Sequence, residues 1–189
     1  MDKYPLISLV NENECKRIAE IGVLSGSTSR RLLTNCKSIQ MLYMIDPWLT
    51  YEEIGQTDTT DKRLLEYTKD KWDSIFENAK KVAINFPERT RIERATSYDT
   101  SFIVSDISLD MIIIDGDHSY RSVRLDIIRW LGKIKDGGIL SGHDYSGGWQ
   151  SVVDSVNDTI GKDNITRLGS GYWYIQITPE SRKMIYDKL

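Results

Sequence analysis

The chain has 189 residues, 40% apolar and 28% charged, proportions that exclude a disordered, collagenous or disulfide-caged polypeptide. Its 25 Lys and Arg against 28 Asp and Glu give a net charge of -3 with no basic block, so no nucleic-acid partner is expected. Only Cys15 and Cys36 occur, without paired spacing, which excludes a disulfide framework or a thiolate zinc site and fits a cytoplasmic setting. The length suits one domain over 1–189. No apolar run reaches the roughly 18 residues of a membrane span, and the opening Met-Asp-Lys-Tyr-Pro has no signal-peptide pattern, so neither a membrane nor secretion is expected.

Short β-branched runs alternate with longer stretches of helical period, the pattern of an α/β protein with a parallel sheet. No element is assigned before residue 16. A first strand is predicted over 16–23, then the turn Ser25-Gly26-Ser27-Thr28 and a helix reaching Cys36. A second strand over 40–45 ends on Asp46-Pro47, because proline removes a ladder donor. Residues 48–61 lack a period and read as a long loop, a candidate gate with a negative surface. Leu65, Trp72, Ile75, Phe76, Ala79, Val82 and Phe86 recur at helical spacing and predict one helix over 62–86, closed by Pro87. The aromatic members of that stripe read as core.

A third strand is predicted over 90–95 and a helix or turn over 98–106. Residues 109–114 are almost wholly apolar, as in a buried central strand, and end on Asp115-Gly116-Asp117-His118. Ser119 caps a helix whose inner face carries Val123, Ile127, Trp130 and Ile134, with Asp136-Gly137-Gly138 as its stop. Asp126 on that helix reads as a solvated or capping residue. A fifth strand over 139–142 leads into His143-Asp144-Tyr145. A helix over 149–160, a hairpin of 164–168 with 171–178, and a short helix over 179–189 complete the chain. Tyr172-Trp173-Tyr174 reads as core or a subunit contact.

Ligands of an open parallel sheet sit beyond the carboxyl ends of its strands, where strand order reverses. Polar groups collect at those ends: Glu20 with Gly22 and Gly26, Asp46, Ser97, Asp115 with Asp117 and His118, and His143 with Asp144. The two histidines of the chain each stand beside an aspartate. A glycine turn lets a ligand approach the backbone, and Glu20 suits an amino-bearing one. Asp46 suits ribose hydroxyls, which a carboxylate can accept in pairs.

Four strings carry a resemblance: Ala19-Glu20-Ile21-Gly22-Val23-Leu24-Ser25-Gly26-Ser27-Thr28, Ile45-Asp46-Pro47-Trp48, Ile114-Asp115-Gly116-Asp117-His118-Ser119-Tyr120, and Gly137-Gly138-Ile139-Leu140-Ser141-Gly142-His143-Asp144-Tyr145. In this order, over about residues 16–178, the chain resembles the class I S-adenosylmethionine-dependent methyltransferases. It is most similar to their small-molecule branch of macrocin-type and aminocoumarin-type sugar O-methyltransferases and cephalosporin hydroxylase-like proteins. The resemblance implies a Rossmann-like methyltransferase fold: a mostly parallel seven-stranded sheet, an antiparallel C-terminal strand and helices on both faces. It implies S-adenosyl-L-methionine as cofactor, with Glu20, Gly22 and Gly26 at the methionine end, Asp46 on the ribose, and Ser97 on the adenine flanked by Trp48. Asp115, at the cofactor rim, corresponds with His143 and Asp144 to a divalent-metal site.

The metal-dependent relatives bind Mg²⁺ there, but an imidazole at 143 in place of a carboxylate opens the site to Mn²⁺, Fe²⁺ or Zn²⁺, and the alternative is that His118 and His143 hydrogen-bond the aspartates with no metal. Asp117 matches the relatives' general base, while His118 competes on chemical grounds because its ordinary pKa lies near neutrality. The implied reaction is methyl transfer to a hydroxyl of a small-molecule acceptor, a sugar among the candidates. The alternatives are an iron-dependent hydroxylase and a non-catalytic cofactor-binding subunit of the same fold. A short N-terminus without a covering helix points equally to a homodimer that completes the pocket and to an open site for a bulky acceptor.

Overall fold

The computed structural model of the protein describes residues 5–56 and 59–188. The apolar runs form parallel strands β1 (Arg17–Ile21), β2 (Met41–Asp46), β3 (Thr90–Arg94), β4 (Leu109–Ile114) and β5 (Ile134–Gly142). Two later strands, β6 (Thr166–Arg167) and β7 (Trp173–Gln176), pair antiparallel, β7 with β5 and β6 with β7. The sheet order is β3-β2-β1-β4-β5-β7-β6, so the winding reverses between β1 and β4. This is the doubly wound sheet that the resemblance implied.

Strand alternation divides the core in two. On one face α1 (Pro5–Glu12), α2 (Ser27–Asn35) and, beyond a single-turn α3 (Lys62–Leu65), α4 (Lys69–Asn85) pack over Ile18, Met44, Met111 and Ile113. The short α5 (Ser97–Ser101) follows β3. On the other face α6 (Tyr120–Leu131), α7 (Gln150–Thr159) and α8 (Pro179–Tyr186) cover Ile21, Ile112, Ile114 and Leu140. Both faces of the central strands are thereby dry, which is why β4 reads as an unbroken apolar run. Among the described residues no helix is long and apolar enough to cross a membrane.

The structure departs from the sequence reading in three elements. A helix, α1, precedes the first strand: Leu6, Leu9 and Val10 recur at helical spacing and are buried on the α2 side of the sheet. The expected long helix over 62–86 is broken, because Thr68 accepts a hydrogen bond from the Lys71 N–H and so starts a new helix at Lys69. The helix expected to run through Ile134 stops at Leu131, and Ile134 instead pairs with Leu109 at the start of β5. The Gly137-Gly138 pair is a bulge inside that strand, not a helix stop: a Cβ on Gly138 would lie 2.6 Å from the Ile134 side chain.

Residues 48–56 and 59–61 carry turns but no strand or helix, as expected, and they descend onto the sheet ends. Tyr51 donates to Asp117 Oδ1 at 3.2 Å and Gln56 Nε2 to Ser122 Oγ at 3.0 Å. Both bonds tether the segment to the β4–α6 connection.

At the winding reversal, Gly22 has a φ of 85°, and a Cβ there would stand 2.1 Å from the Asp115 carbonyl oxygen. Gly22→Ala is therefore expected to cost roughly 2–4 kcal/mol, left-handed strain added to overpacking. Urea denaturation measures it, with Gly147→Ala as the control that leaves the midpoint unchanged, since nothing lies within 4 Å of its added Cβ.

Candidate active site

A cavity of about 910 Å³ opens beyond the carboxyl ends of β1, β2 and β4, a volume suited to a nucleotide-sized ligand. Backbone bonds continue the sheet to its rim, with Gly22 N–H donating to Ile45 O at 2.9 Å and Asp115 N–H to Ile21 O at 2.8 Å. Glu20, Gly22, Asp46, Ser97, Asp115, Asp117 and His118 all line this one cavity.

Glu20 points to the α2 side of β1, where it is 1% exposed and accepts a hydrogen bond from Ser29 Oγ. Burial pushes its carboxyl up to about 8 against that bond, with Asp115 and Asp46 adding to the rise. Asp46 accepts from Leu24 N–H and Trp48 N–H, both at 2.9 Å. Burial raises its pKa, while these backbone donors, with one from Val23, act in the other direction. Leu24 and Trp48 both have positive φ, 50° and 45°, so one carboxylate holds two strained residues in place.

Two expected cofactor residues lie elsewhere. Trp48 is fully buried, donates from Nε1 to Leu24 O at 2.7 Å and packs on Phe76, so it belongs to the core and is not a flank of the cavity. Pro47 and Leu49, on either side of it, line the wall. Gly26 faces α4, where a Cβ would be 3.0 Å from Val82 Cγ2 and 3.3 Å from Ala79 Cα. Its missing side chain lets two helices approach, and its neighbours Ser25, Ser27 and Thr28 line the cavity instead.

At the far end, Ser97 Oγ donates to Asp126 Oδ1. Asp126 is 6% exposed and lines the cavity, which corrects its reading as solvated. Burial pushes its carboxyl up to about 6 against the Ser97 bond and the Arg129 charge. The sequence held the signal: Asp126 lies three residues after Val123 and four before Trp130, on the helix's buried stripe.

The acid and imidazole cluster stands at the tips of β4 and β5. Asp115, His118 and Asp144 each offer a ligand atom within 4.8 Å of the others. His118 Nε2 is 2.8 Å from Asp144 Oδ2, and its ring stacks on Trp149 with centroids 4.2 Å apart. Yet neither of its nitrogens makes a well-directed hydrogen bond, although both are buried. His143 Nε2 lies 2.9 Å from Ser170 O, which can only accept, so Nε2 carries a proton. Its Nδ1 then faces Asp115 Oδ1 at 3.4 Å and Asp144 Oδ2 at 3.2 Å.

Burial opposes the charge on His143, but its bonds to Asp115 and Asp144 prevail and push the imidazole up to about 10. Burial likewise opposes ionisation of Asp144, yet His118 and His143 hold it well below the usual carboxylate range. The cluster gathers the expected Asp115 and Asp144 with His118, which the sequence marked only as a base, whereas the third expected ligand, His143, is engaged as the ion-pair partner of both carboxylates. Two carboxylates beside an imidazole whose Nδ1 is buried without a hydrogen-bond partner among the described residues fit a divalent cation that accepts nitrogen and oxygen donors.

Asp117 accepts from Tyr51 Oη and, at 3.1 Å, from Ser119 N–H. Burial would raise its pKa, but hydrogen bonds from Thr59 and Ser119 win and lower it, so the side chain remains a carboxylate. Tyr51 and Trp149 had no signal in the sequence, because each reaches the site only through the folding of a loop.

Residues 19–145 match a family model described as a methyltransferase domain. No curated protein sequence matches the chain significantly. Solved structures share the fold at low identity. The chain is similar to the O-methyltransferase NovP, with 18% identity and a TM-score of 0.63 over 91% of this chain and 76% of NovP. It is also similar to the O-methyltransferase TomG from Streptomyces achromogenes, solved with SAM, at 15% identity and 0.63 over 92% of this chain and 78% of TomG. An O-methyltransferase from Bacillus cereus, solved with SAH, matches at 15% identity and 0.59 over 91% and 79%.

Glu20 supplies a test of the site's electrostatics. Its folded pKa of about 8 exceeds the ordinary 4.5, so its contribution to stability is complete below 4.5 and is lost as pH rises through 8. Glu20→Gln, which keeps an acceptor for Ser29, is expected to match the wild type at pH about 4 and to be increasingly more stable towards pH about 8. Thermal melts across that range measure the difference.

Proposed function

The chain belongs to the methyltransferase-domain family, and from that premise we propose that it transfers the methyl group of S-adenosyl-L-methionine to a hydroxyl of a small molecule. The observation that carries the reading is the shared cavity of Glu20, Asp46, Ser97, Asp115 and Asp117. Glu20 meets the cofactor's ammonium, whose charge restores the ionised carboxylate that burial disfavours. Asp46 keeps lone pairs free for the ribose hydroxyls, and Ser97 lies at the base. TomG with SAM and the Bacillus cereus enzyme with SAH, which share the fold, support the choice of cofactor.

Methyl transfer is an in-line displacement: the acceptor oxygen bonds to the methyl carbon as the carbon–sulfur bond breaks, and the hydroxyl proton leaves. The sulfonium already activates the donor, so the chain supplies alignment, worth several kcal/mol, and a proton acceptor. Asp115, His118 and Asp144 would hold a divalent cation, which lowers the pKa of a hydroxyl bound to it. With His118 so engaged, Asp117 takes the proton. Its lowered pKa makes it a weak base for an ordinary hydroxyl, which favours including the cation. The segment before α3 covers this end of the cavity through Tyr51, so it borders the acceptor.

Calorimetry with S-adenosylmethionine and S-adenosylhomocysteine is expected to show binding that Glu20→Gln weakens on the order of 10- to 100-fold. Absence of binding to both compounds overturns the proposal. Asp117→Asn should spare binding and slow methylation on the order of 10²- to 10⁴-fold, followed by mass spectrometry over a panel of hydroxyl acceptors. Elemental analysis of His118→Ala and Asp144→Ala is expected to show loss of bound metal; a content equal to the wild type removes the cation from the mechanism.

A further inference from the structure

We propose that the face formed by α5, residues 102–107 and the end of α6 docks a second copy of this chain, independently of which cofactor the cavity takes. Of the apolar side chains over 102–107 only Val104 turns into the core. Phe102 is 71% exposed and Ile107 62%, and Ile103 and Tyr98 are exposed beside them. Tyr98 and Phe102 meet edge to face with centroids 5.0 Å apart, so the two rings form one surface. Ile107 has a φ of 49°, a left-handed conformation that a β-branched residue rarely adopts. Its N–H donates to Gly132 O at 3.0 Å, and the N–H groups of Ser108 and Leu109 both donate to Lys133 O at 2.9 Å. The backbone is thus tied to the end of α6 and holds Ile107 outward under strain, which brings a lone chain no burial.

Charge and area select the occupant. Asp99 and Arg129 border the patch, and neither forms an ion pair among the described residues. Asp99 accepts from Thr96 Oγ1 at 2.6 Å, while the Arg129 guanidinium lies 4.5 Å from the centroid of the Tyr98 ring and acts on buried Asp126 without bonding to it. A partner surface of one charge sign would satisfy one of the two and repel the other. A second copy presents both, and a two-fold axis through the patch sets each against its opposite. Four exposed side chains make an apolar patch on the order of 400 Å², about half of the roughly 800 Å² that each partner gives to a stable dimer. Asp99, Arg129 and the ion pair of Lys133 with Asp106 supply the polar rim that surrounds such a centre. Tyr98, Asp99 and Arg129 also line the cavity, so the docked copy adjoins its far end.

Sedimentation velocity of the full chain measures the association, and the wild type is expected to be dimeric at about 100 μM. Phe102→Asp and Ile107→Asp should each weaken the dimer on the order of 100-fold. Ile84→Asp, at a similarly exposed isoleucine on α4, should leave it unchanged. Asp99→Lys and Arg129→Glu are each expected to weaken it about 10-fold, and in combination to restore it to within about threefold of the wild type. A wild type that stays monomeric overturns the proposal and leaves the face to another partner. A dimer that survives both Phe102→Asp and Ile107→Asp overturns it as well, because the copies then meet elsewhere. So does a double charge variant no tighter than either single one, since the two charges then do not face each other. Circular dichroism melts identify a variant that fails to fold; Phe102→Ser then takes the place of Phe102→Asp.

Discussion

The contact between an α-carbon without a side chain and a carbonyl oxygen governs this structure. Gly22 passes so near the Asp115 backbone that no other residue fits without displacement. Through that gap the tips of β1 and β4 meet at the point where the winding reverses. Glu20, Asp46, Asp115 and Asp117 hang from those two tips and the tip of β2, while Asp144 stands on the tip of β5, Ser97 on α5 and Asp126 on α6. The ladder continues one residue past β1 and β4, and Asp46 ends β2 itself, so Glu20, Asp46 and Asp115 are presented by rigid sheet and not by loop. A site built on such elements holds its geometry better than one built on loops alone.

Rigidity comes with an electrostatic burden. Glu20, Asp46, Asp115 and Asp126 are carboxyl groups whose burial raises their pKa values, and they share one cavity. Each is relieved differently: Glu20 by a hydroxyl, Asp46 by backbone N–H groups, Asp115 by His143, Asp126 by Ser97. None of these partners apart from His143 carries charge. The unrelieved remainder is what makes the cavity receptive to a cationic, donor-rich ligand. Asp117 differs from these four, because hydrogen bonds from its own connection and the overlying segment lower its pKa. A carboxylate kept ionised next to carboxyl groups pushed towards neutrality separates the proposed proton acceptor from the proposed binding groups.

The corrected residues share a physical cause. Trp48 and Gly26 sit in the same strings as genuine cavity residues, and sequence adjacency made them look alike. In the turn after β2, however, a large indole with one N–H is better accommodated in the core, against Phe76 and the Leu24 carbonyl. At the start of α2 the missing Cβ serves the approach of α4. Asp126 is the reverse case: a polar residue on an apolar stripe, which reads as solvated until Ser97 is found facing it. His118 and His143 could not be told apart by position, since both follow a strand and both adjoin an aspartate. Their difference lies in what faces each ring nitrogen: the Ser170 carbonyl on His143, and no well-directed partner on His118.

The alternation of apolar runs, the glycine between β1 and α2, and the acids at the strand ends were legible from the amino acids alone. They depend on local rules: period two in strands, proline and glycine at their ends, and the preference of ligands for the carboxyl edge of a parallel sheet. Strand order, the bulge in β5, the division of the two histidines and the burial of Asp126 were settled only by tertiary packing. Each of those depends on contacts between residues distant in the chain, such as Ser97 with Asp126 or Ser170 with His143. No local pattern records which surfaces will meet, because that is decided by how two dry cores close over one twisted sheet.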